Sequence, residues 1–410
     1  MNREDCSALD QADPLRSLRD QFALPENLVY LDGNSLGALP HAVARRLQET
    51  ISQQWGEDLI RGWNQHWIDL PQLVGEKIAP LVGAAPGQVI CADSTSVNLF
   101  KLLAAALSLK PGRPVILCQA NDFPTDLYMA QGLATLLGDN VCRLRQVPAD
   151  ELLMSLDSTT AVLMLTQVNF RDGSRHDIQA LTQAAHAAGA LVIWDLSHSA
   201  GAMPIELDAW HVDLAVGCGY KFLNGGPGAP SFVYVAARHQ PHLSQPLSGW
   251  MGHAAPFDFS PDYRPGPGVL RMLCGTPPVL GLSALDAALD LWQDLDLQTV
   301  RAKSLALGSL FMDLVAAEPA LAVLQLVSPQ QDAARGSQVC YRHKDGYAMV
   351  QALIGRDVLA DFRAPDILRF GFSPLYNQYV DMWDAVTQLA DIVASRAYMD
   401  KAYQQRSRVT

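Results

Sequence analysis

The chain has 410 residues, 49% of them hydrophobic and 18% charged, an ordinary globular composition with enough length for two domains and an ample core. A formal net charge of −12 excludes nucleic acid as a bulk partner, because phosphate neutralisation needs concentrated Lys and Arg. Seven scattered cysteines with no CxxC pair exclude a zinc ribbon and a disulfide framework, and no metal site is expected. The polar start Met1–Cys6 does not read as a signal peptide, and no apolar run approaches the ~18 residues that cross a bilayer. A cytoplasmic protein is expected.

Asp13 to Phe22 reads as a short amphipathic helix, followed by a turn at Pro25-Glu-Asn27. A short strand from Val29 opens into Asp32-Gly-Asn-Ser-Leu-Gly37, either a simple loop or a backbone-rich pocket wall. A helical pattern runs from Pro40 to about Leu70, and its tail Gly62-Trp-Asn-Gln-His-Trp67 suits core or pocket. From Val89 onward short apolar runs alternate with helical stretches, the signal for βαβ units and a parallel sheet. After the run that begins at Val89, strands are expected at Val115–Cys118, Ala161–Leu165, Leu191–Trp194, Leu214–Val216 and Ser231–Val235. Helices are expected at Leu99–Leu109, after Asn121–Asp126, and at Ala180–Ala188. The stretch 237–280 is irregular and Pro/Gly-rich, which marks a functional segment or an interface. Helices resume at Leu280–Leu295 and from Thr299 to about Val315. They lead into a smaller α+β part with a strand at Gln338–Tyr341 and the run Ile367–Asn377. The expected division is an N-terminal segment 1–50, a large domain 51–290 and a small domain 291–410.

The chemistry gathers around Asp213-Leu-Ala-Val-Gly-Cys-Gly-Tyr-Lys-Phe-Leu-Asn-Gly-Gly-Pro-Gly228, where a short buried strand meets a glycine turn presenting Lys221 beside Tyr220. Alone, Lys221 reads as a surface lysine on a tight turn; desolvated at a strand end, it becomes a nucleophile or base. It is not alone. Ligands of open α/β sheets bind beyond the carboxyl ends of the strands, where Thr166, Asp195, His198, Tyr220 and Lys221 all fall. A phosphorylated pyridine aldehyde needs an amine for a Schiff base, which Lys221 offers, and a carboxylate at its ring nitrogen, which Asp195 offers. Its ring needs an aromatic face, such as Phe123, and its phosphate a helix N-terminus with hydroxyls, such as Thr95-Ser96. Taken singly, Thr95 and Ser96 read as part of a helix cap, Asp195 as a turn cap, His198 as a structural histidine and Phe123 as core. As an ordered set on an α/β pattern, they read as a pyridoxal 5'-phosphate site.

These residues also carry a resemblance. Tyr30-Leu-Asp-Gly-Asn-Ser-Leu-Gly37, Phe123-Pro-Thr-Asp126, Asp195-Leu-Ser-His-Ser-Ala-Gly201, Gly219-Tyr-Lys-Phe-Leu-Asn-Gly-Gly226 and Arg369 with Pro374-Leu-Tyr-Asn377 resemble the kynureninase family of fold-type I pyridoxal phosphate enzymes. The Asp-x-x-His and the lysine are shared with related transaminase-like and desulfurase-like enzymes, so they specify the cofactor and not the reaction. The resemblance implies an α/β fold with a mostly parallel sheet plus a smaller C-terminal domain, and hydrolysis of L-kynurenine to anthranilate and L-alanine. It implies that Lys221 carries the cofactor, Asp195 pairs with the pyridinium, Phe123 stacks on the ring with Asp126 nearby, and Thr166 and His198 lie near the ring oxygen. Thr95, Ser96, Tyr220, Trp250 and Thr276 would surround the phosphate, with Trp250 and Thr276 reaching in from the second subunit of a homodimer. Arg369 would take the substrate carboxylate, while Asn34, Ser35, Trp63 and His66 would line the substrate pocket. Tyr220 is expected to relay a proton in the carbonyl steps. Thr276 stands where animal kynureninases that prefer the 3-hydroxylated substrate have asparagine, so unmodified kynurenine is the expected substrate. A cysteine desulfurase or transaminase, or a non-catalytic pyridoxal phosphate protein, is the alternative; Cys340, in an apparent strand, is a poor desulfurase nucleophile.

Overall fold

The computed structural model describes residues 1–406. Its strands, in chain order, are β1 (Val29–Tyr30), β2 (Val89–Ala92), β3 (Val115–Gln119), β4 (Arg143–Val147), β5 (Thr160–Thr166), β6 (Leu191–Asp195) and β7 (Leu214–Gly217). There follow β8 (Ser231–Val235), β9 (Gln325–Leu326), β10 (Gln338–Arg342), β11 (Val358–Leu359), β12 (Asp361–Arg363) and β13 (Ile367–Gly371).

Seven strands form the large sheet in the order β2-β8-β7-β6-β5-β3-β4. All pairings are parallel except those of β8, which runs antiparallel to β2 and β7. Every residue of β5, β6, β7 and β8 is buried, as expected of near-continuous apolar runs covered by helices on both faces. The sequence reading missed β4. Its Arg143-Leu-Arg-Gln-Val147 pairs only with β3 and keeps two residues exposed, so it carries the charge of an edge strand and not the apolar run of a central one.

Two helical expectations are corrected. The N-terminal helix is Arg3–Ala12, closed by a capping box from Asn2 and Asp5. The predicted Asp13–Phe22 is a turn followed by a 3-10 helix, Arg16–Gln21: Pro14 cannot continue the hydrogen-bond ladder, and Asp13 accepts instead from the Leu15 N–H at 2.9 Å. The single helix expected over 40–70 is broken into His41–Glu49, wide turns at Thr50–Trp55 and Trp63–Trp67, and a helix Leu70–Ile78, with Gly56 and Gly62 at the breaks.

A second core lies under the antiparallel sheet β12-β13-β10-β9, packed by the helices Leu297–Ala317, Gly346–Ile354 and Tyr379–Ser395. Phe311 anchors it, its ring 4.6 Å from Phe370 and 5.5 Å from Phe372. Burying each such side chain contributes about 1.5–3 kcal/mol.

What positions the site is the segment 29–37, which ties this small sheet to the Lys221 turn. β1 pairs with β11, and the Leu31 carbonyl accepts from Gly371 N–H at 2.7 Å. Six residues on, Gly37 N–H donates to the Tyr220 carbonyl at 2.8 Å, and a Cβ at Gly37 would collide with the Lys221 carbonyl. The glycine–asparagine–serine loop is thus neither a plain turn nor only a wall. It is a clamp.

Candidate active site

A cavity of about 590 Å³ opens beyond the carboxyl ends of β5, β6 and β7. Every residue expected around the cofactor lies on its wall except Trp250: Thr95, Ser96, Phe123, Asp126, Thr166, Asp195, His198, Tyr220, Lys221 and Thr276.

At one end the helix Thr95–Leu109 begins, capped by Ser94, whose hydroxyl accepts from Val97 N–H at 3.4 Å. A helix start leaves its first N–H groups without partners inside the helix and bears a partial positive charge, which suits a phosphate. The residue before the cap, Asp93, has φ +45° and is held by the fully buried ammonium of Lys101 at 2.7 Å; Lys101 also donates to the Met272 carbonyl at 2.6 Å.

At the other end three carboxylates meet. Asp195 is buried and accepts from Ser197 N–H at 2.7 Å. Asp122 accepts from the backbone N–H groups of Phe123 at 2.9 Å and Thr166 at 3.0 Å. Asp126 accepts from the Thr166 hydroxyl at 3.3 Å, yet its Oδ1 is buried without a partner. Burial, then Asp195 and Asp122 beside it, drive the Asp126 carboxyl well above the ordinary range. This corner is short of a positive charge, which a pyridinium would supply.

Between the two ends sits Lys221, 5.7 Å above the Phe123 ring centroid, with the rings of Phe123 and Phe170 edge to face at 5.3 Å. Among the described residues its ammonium has no hydrogen bond or ion pair. Burial pushes its pKa down, helped by the charges of Arg369 and Arg363 and opposed by Cys218 and Asp195. Gly226 and Gly228 beyond it have φ of +87° and +72°, as the turn demands. Burial also raises the phenol of Tyr220, so it stays protonated and can donate. His198 is buried with Nδ1 3.0 Å from Gln338 Oε1; burial, then Lys221 and Arg369, hold it well below its ordinary value, hence neutral. Because the Gln338 amide donates to the Asn169 and Phe170 carbonyls at 3.2 and 3.1 Å, its Oε1 must accept, which puts the His198 proton on Nδ1. A buried amine with no hydrogen-bond partner among the described residues, a cluster of buried carboxyls and a helix start fit a phosphorylated pyridine aldehyde.

Sequence reasoning missed Gln338 and Phe170. A glutamine opening an otherwise apolar strand is the available signal for the first; Phe170 lies four residues beyond Thr166, the polar end of its strand.

Arg369 stands behind the cavity wall, 1% exposed, donating to the Phe170 carbonyl at 2.7 Å and the Ser35 hydroxyl at 2.6 Å, and paired with Asp361. Asn34 is buried against Gly371 and donates to Gln338 Oε1 at 3.0 Å. Trp63 and His66 are not brought to this cavity: Trp63 packs edge-on to Trp67 at 5.6 Å, and His66 lies 3.3 Å from Asp58. Trp250 is 40% exposed on another face against Phe257, while Thr276, expected from a second subunit, lies on the wall of its own chain's cavity.

Comparison with known proteins places this geometry. In fold the chain is similar to C-DES in a mutant form with glycine covalently linked to its PLP cofactor, with TM-score 0.79, 18% identity, and coverage of 91% of this chain and 99% of that one. It is likewise similar to the cysteine desulfurase CsdA from Escherichia coli, with TM-score 0.77, 22% identity, and coverage of 93% and 98%. These likenesses establish the fold-type I α/β architecture, with its mostly parallel sheet flanked by helices. Residues 300–389 match the kynureninase C-terminal domain. The kynureninase of Burkholderia pseudomallei (strain 1106a) is 51% identical over 100% of this chain and 99% of its own length, and that of Pseudomonas fluorescens is 48% identical with the same coverage. Half of all positions shared from end to end leave no doubt about kinship: the chain belongs to the kynureninase family.

Proposed function

We propose that the chain hydrolyses the Cβ–Cγ bond of L-kynurenine to anthranilate and L-alanine with pyridoxal 5'-phosphate, and 3-hydroxykynurenine less well. Identity of 51% over the whole chain to a kynureninase carries this reading. When bound, the cofactor supplies an aldehyde for amines and a protonated ring that accepts electrons. Thr95 and Ser96 would hold its phosphate, Asp195 would pair with its ring nitrogen with Asp126 nearby, and Phe123 would cover its face.

Arg369 holds the substrate α-carboxylate, a task that suits a planar guanidinium fork better than an ammonium. Lys221, freed by the substrate amine, removes the proton from Cα; its desolvated amine is poised for that transfer. Water adds its oxygen to the γ-carbonyl carbon, the Cβ–Cγ bond breaks, Cβ takes a proton, and the proton that Lys221 took from Cα is returned there to leave L-alanine. Tyr220, protonated and adjacent, donates to the γ-carbonyl oxygen. Neutral His198 hydrogen-bonds without adding charge.

The active form is a homodimer. A second apolar cleft of about 450 Å³, lined by Trp55, Trp67 and Pro277–Gly281, meets the active cavity at Pro278, and Trp55, Ile60 and Leu280 are exposed around it. The six cysteines that are buried, and no disulfide among the described residues, suit the reducing cytoplasm. The desulfurase alternative is not favoured: Cys340 is buried in β10 and burial pushes its thiol up to about 12.

Incubating cofactor-loaded protein with L-kynurenine should release fluorescent anthranilate and one equivalent of alanine. Loaded protein that releases neither would overturn the reading.

A further inference from the structure

The arginine expected to bind the substrate carboxylate already has one. Asp361 and Arg369 are directly opposed across the antiparallel pair β12–β13, so their side chains share one face of the small sheet. Arg363, two residues on from Asp361, points to the same face, and its guanidinium lies 2.7 Å from Asp361 Oδ2, the oxygen that also pairs with Arg369. Both N–H groups of Arg369 Nη2 are therefore engaged, one by Asp361 and one by the Ser35 hydroxyl, while Nη1 donates to the Phe170 carbonyl. Nε is buried with no partner, as is Nε of Arg363.

Bidentate capture of a carboxylate uses Nη2 together with either Nη1 or Nε. With Nη2 saturated, neither pair of donors is open. Some resident acceptor must leave before the substrate carboxylate can be held by both oxygens. Ser35 is tied to the clamp loop and is reached by Arg363 Nη2 only at 3.3 Å, whereas Asp361 is held by Arg363 at 2.7 Å and accepts from the Ser35 hydroxyl at 2.9 Å, so it keeps two partners if it leaves Arg369. Building on the functional reading above, we propose that Asp361 is an exchangeable counter-ion: in the empty site it bridges Arg369 and Arg363, and when the substrate α-carboxylate arrives it releases Arg369 and stays on Arg363. Arg363 is the receiver that keeps the displaced carboxylate paired in a buried place.

The arrangement makes two demands on a ligand. Only a carboxylate or an equally compact anion can replace Asp361, so amines lacking that group gain nothing from Arg369. The arginine also stays paired throughout, never a lone buried charge. Asp361 is thus a positioning residue, and the affinity of the empty site is reduced by the fraction of time Arg369 is taken.

The test uses cofactor-loaded protein. In Asp361→Asn the competitor loses its charge but keeps its shape, and KM for L-kynurenine should fall by about fivefold or more, with no matching change for the decarboxylated aryl aminoketone. In Arg363→Gln the receiver is gone, Asp361 stays on Arg369, and KM should rise by about tenfold while kcat at saturation changes little. A KM that is unchanged or higher in Asp361→Asn, or unchanged in Arg363→Gln, would overturn the proposal. Binding of L-alanine by calorimetry should follow the same two directions. Because that reading needs no turnover, the exchange can fail while anthranilate is made, or stand while it is not.

Discussion

Lys221 and Arg369 are both cations drawn out of water, 8% and 1% exposed, and they are treated in opposite ways. Lys221 stands over an aromatic ring with no acceptor among the described residues, and burial pushes its pKa down. Arg369 is given a carbonyl, a hydroxyl and a carboxylate. A buried cation with no partner becomes a neutral amine, whereas one with full pairing remains a charge. The first state is what a nucleophile and base requires; the second is what a carboxylate receptor requires. The difference lies in the neighbours as much as in the residue types.

Exchanging the two cation types should expose this. Lys221→Arg puts a group that cannot deprotonate where an amine is needed, and turnover should fall ~10⁴-fold or more, as in Lys221→Ala, with the folded state kept by near-ultraviolet dichroism. If Lys221→Arg kept a tenth of the activity, the desolvated amine would not be the reacting group. In the wild type, attachment of pyridoxal phosphate to the cofactor-free protein should quicken as pH rises and level off below 10.5, the ordinary lysine value, because burial has lowered it. The reverse swap, Arg369→Lys, replaces a planar fork by a point charge that cannot serve Phe170, Ser35 and Asp361 together. KM for L-kynurenine should rise ~10²-fold with kcat much less affected. A fall in kcat alone would move Arg369 from carboxylate binding to the chemical steps.

Beside Lys221, Tyr220 holds its proton more tightly than a free phenol, so it is suited to donate and not to abstract. Tyr220→Phe should slow turnover by ~10²-fold while cofactor affinity stays near wild type. Full activity in that variant would assign the carbonyl proton elsewhere, with neutral His198 the first place to look.

Half of this contrast was legible in the sequence. Lys221, Asp195 and Thr166 could be placed because buried parallel strands are short apolar runs whose first polar residue marks the ligand end of the sheet. Thr95-Ser96 could be placed because a helix start has its own chemistry. The surroundings of Arg369 could not. They depend on the register of β12 against β13, on Gln338 reaching from β10, and on a loop more than 300 residues away in sequence that supplies Ser35. Residue type alone pointed to Arg369, but nothing local announced that Asp361 would sit on it. Trp63 and His66 failed to reach the cavity for a related reason: the helix expected to carry them is broken at Gly56 and Gly62, which turns them toward Trp67 and Asp58.

The smallest effect is also the sharpest probe of how charge is shared around Arg369. Asp32 opens the clamp loop, and its carboxyl is raised from 3.8 to about 6, by burial first and then by the negative charge of Asp361, with Arg369 pulling the other way. A folded-state value above the unfolded one means that the folded protein binds more protons between about pH 4 and pH 6, so stability is lost as pH rises through that window. Asp32→Asn removes a buried charge that Arg369 only partly compensates, and at about pH 7.5 it should stabilise the protein by on the order of 1 kcal/mol in urea unfolding. At about pH 5, midway through that window, the gain should be about half as large, and it should vanish only below about pH 4. Asp361 stays fully engaged in either case. A variant that is less stable at both pH values would show instead that Arg369 needs the two carboxylates together, and that the small sheet shares its positive charge more widely than the Asp361 pairing implies.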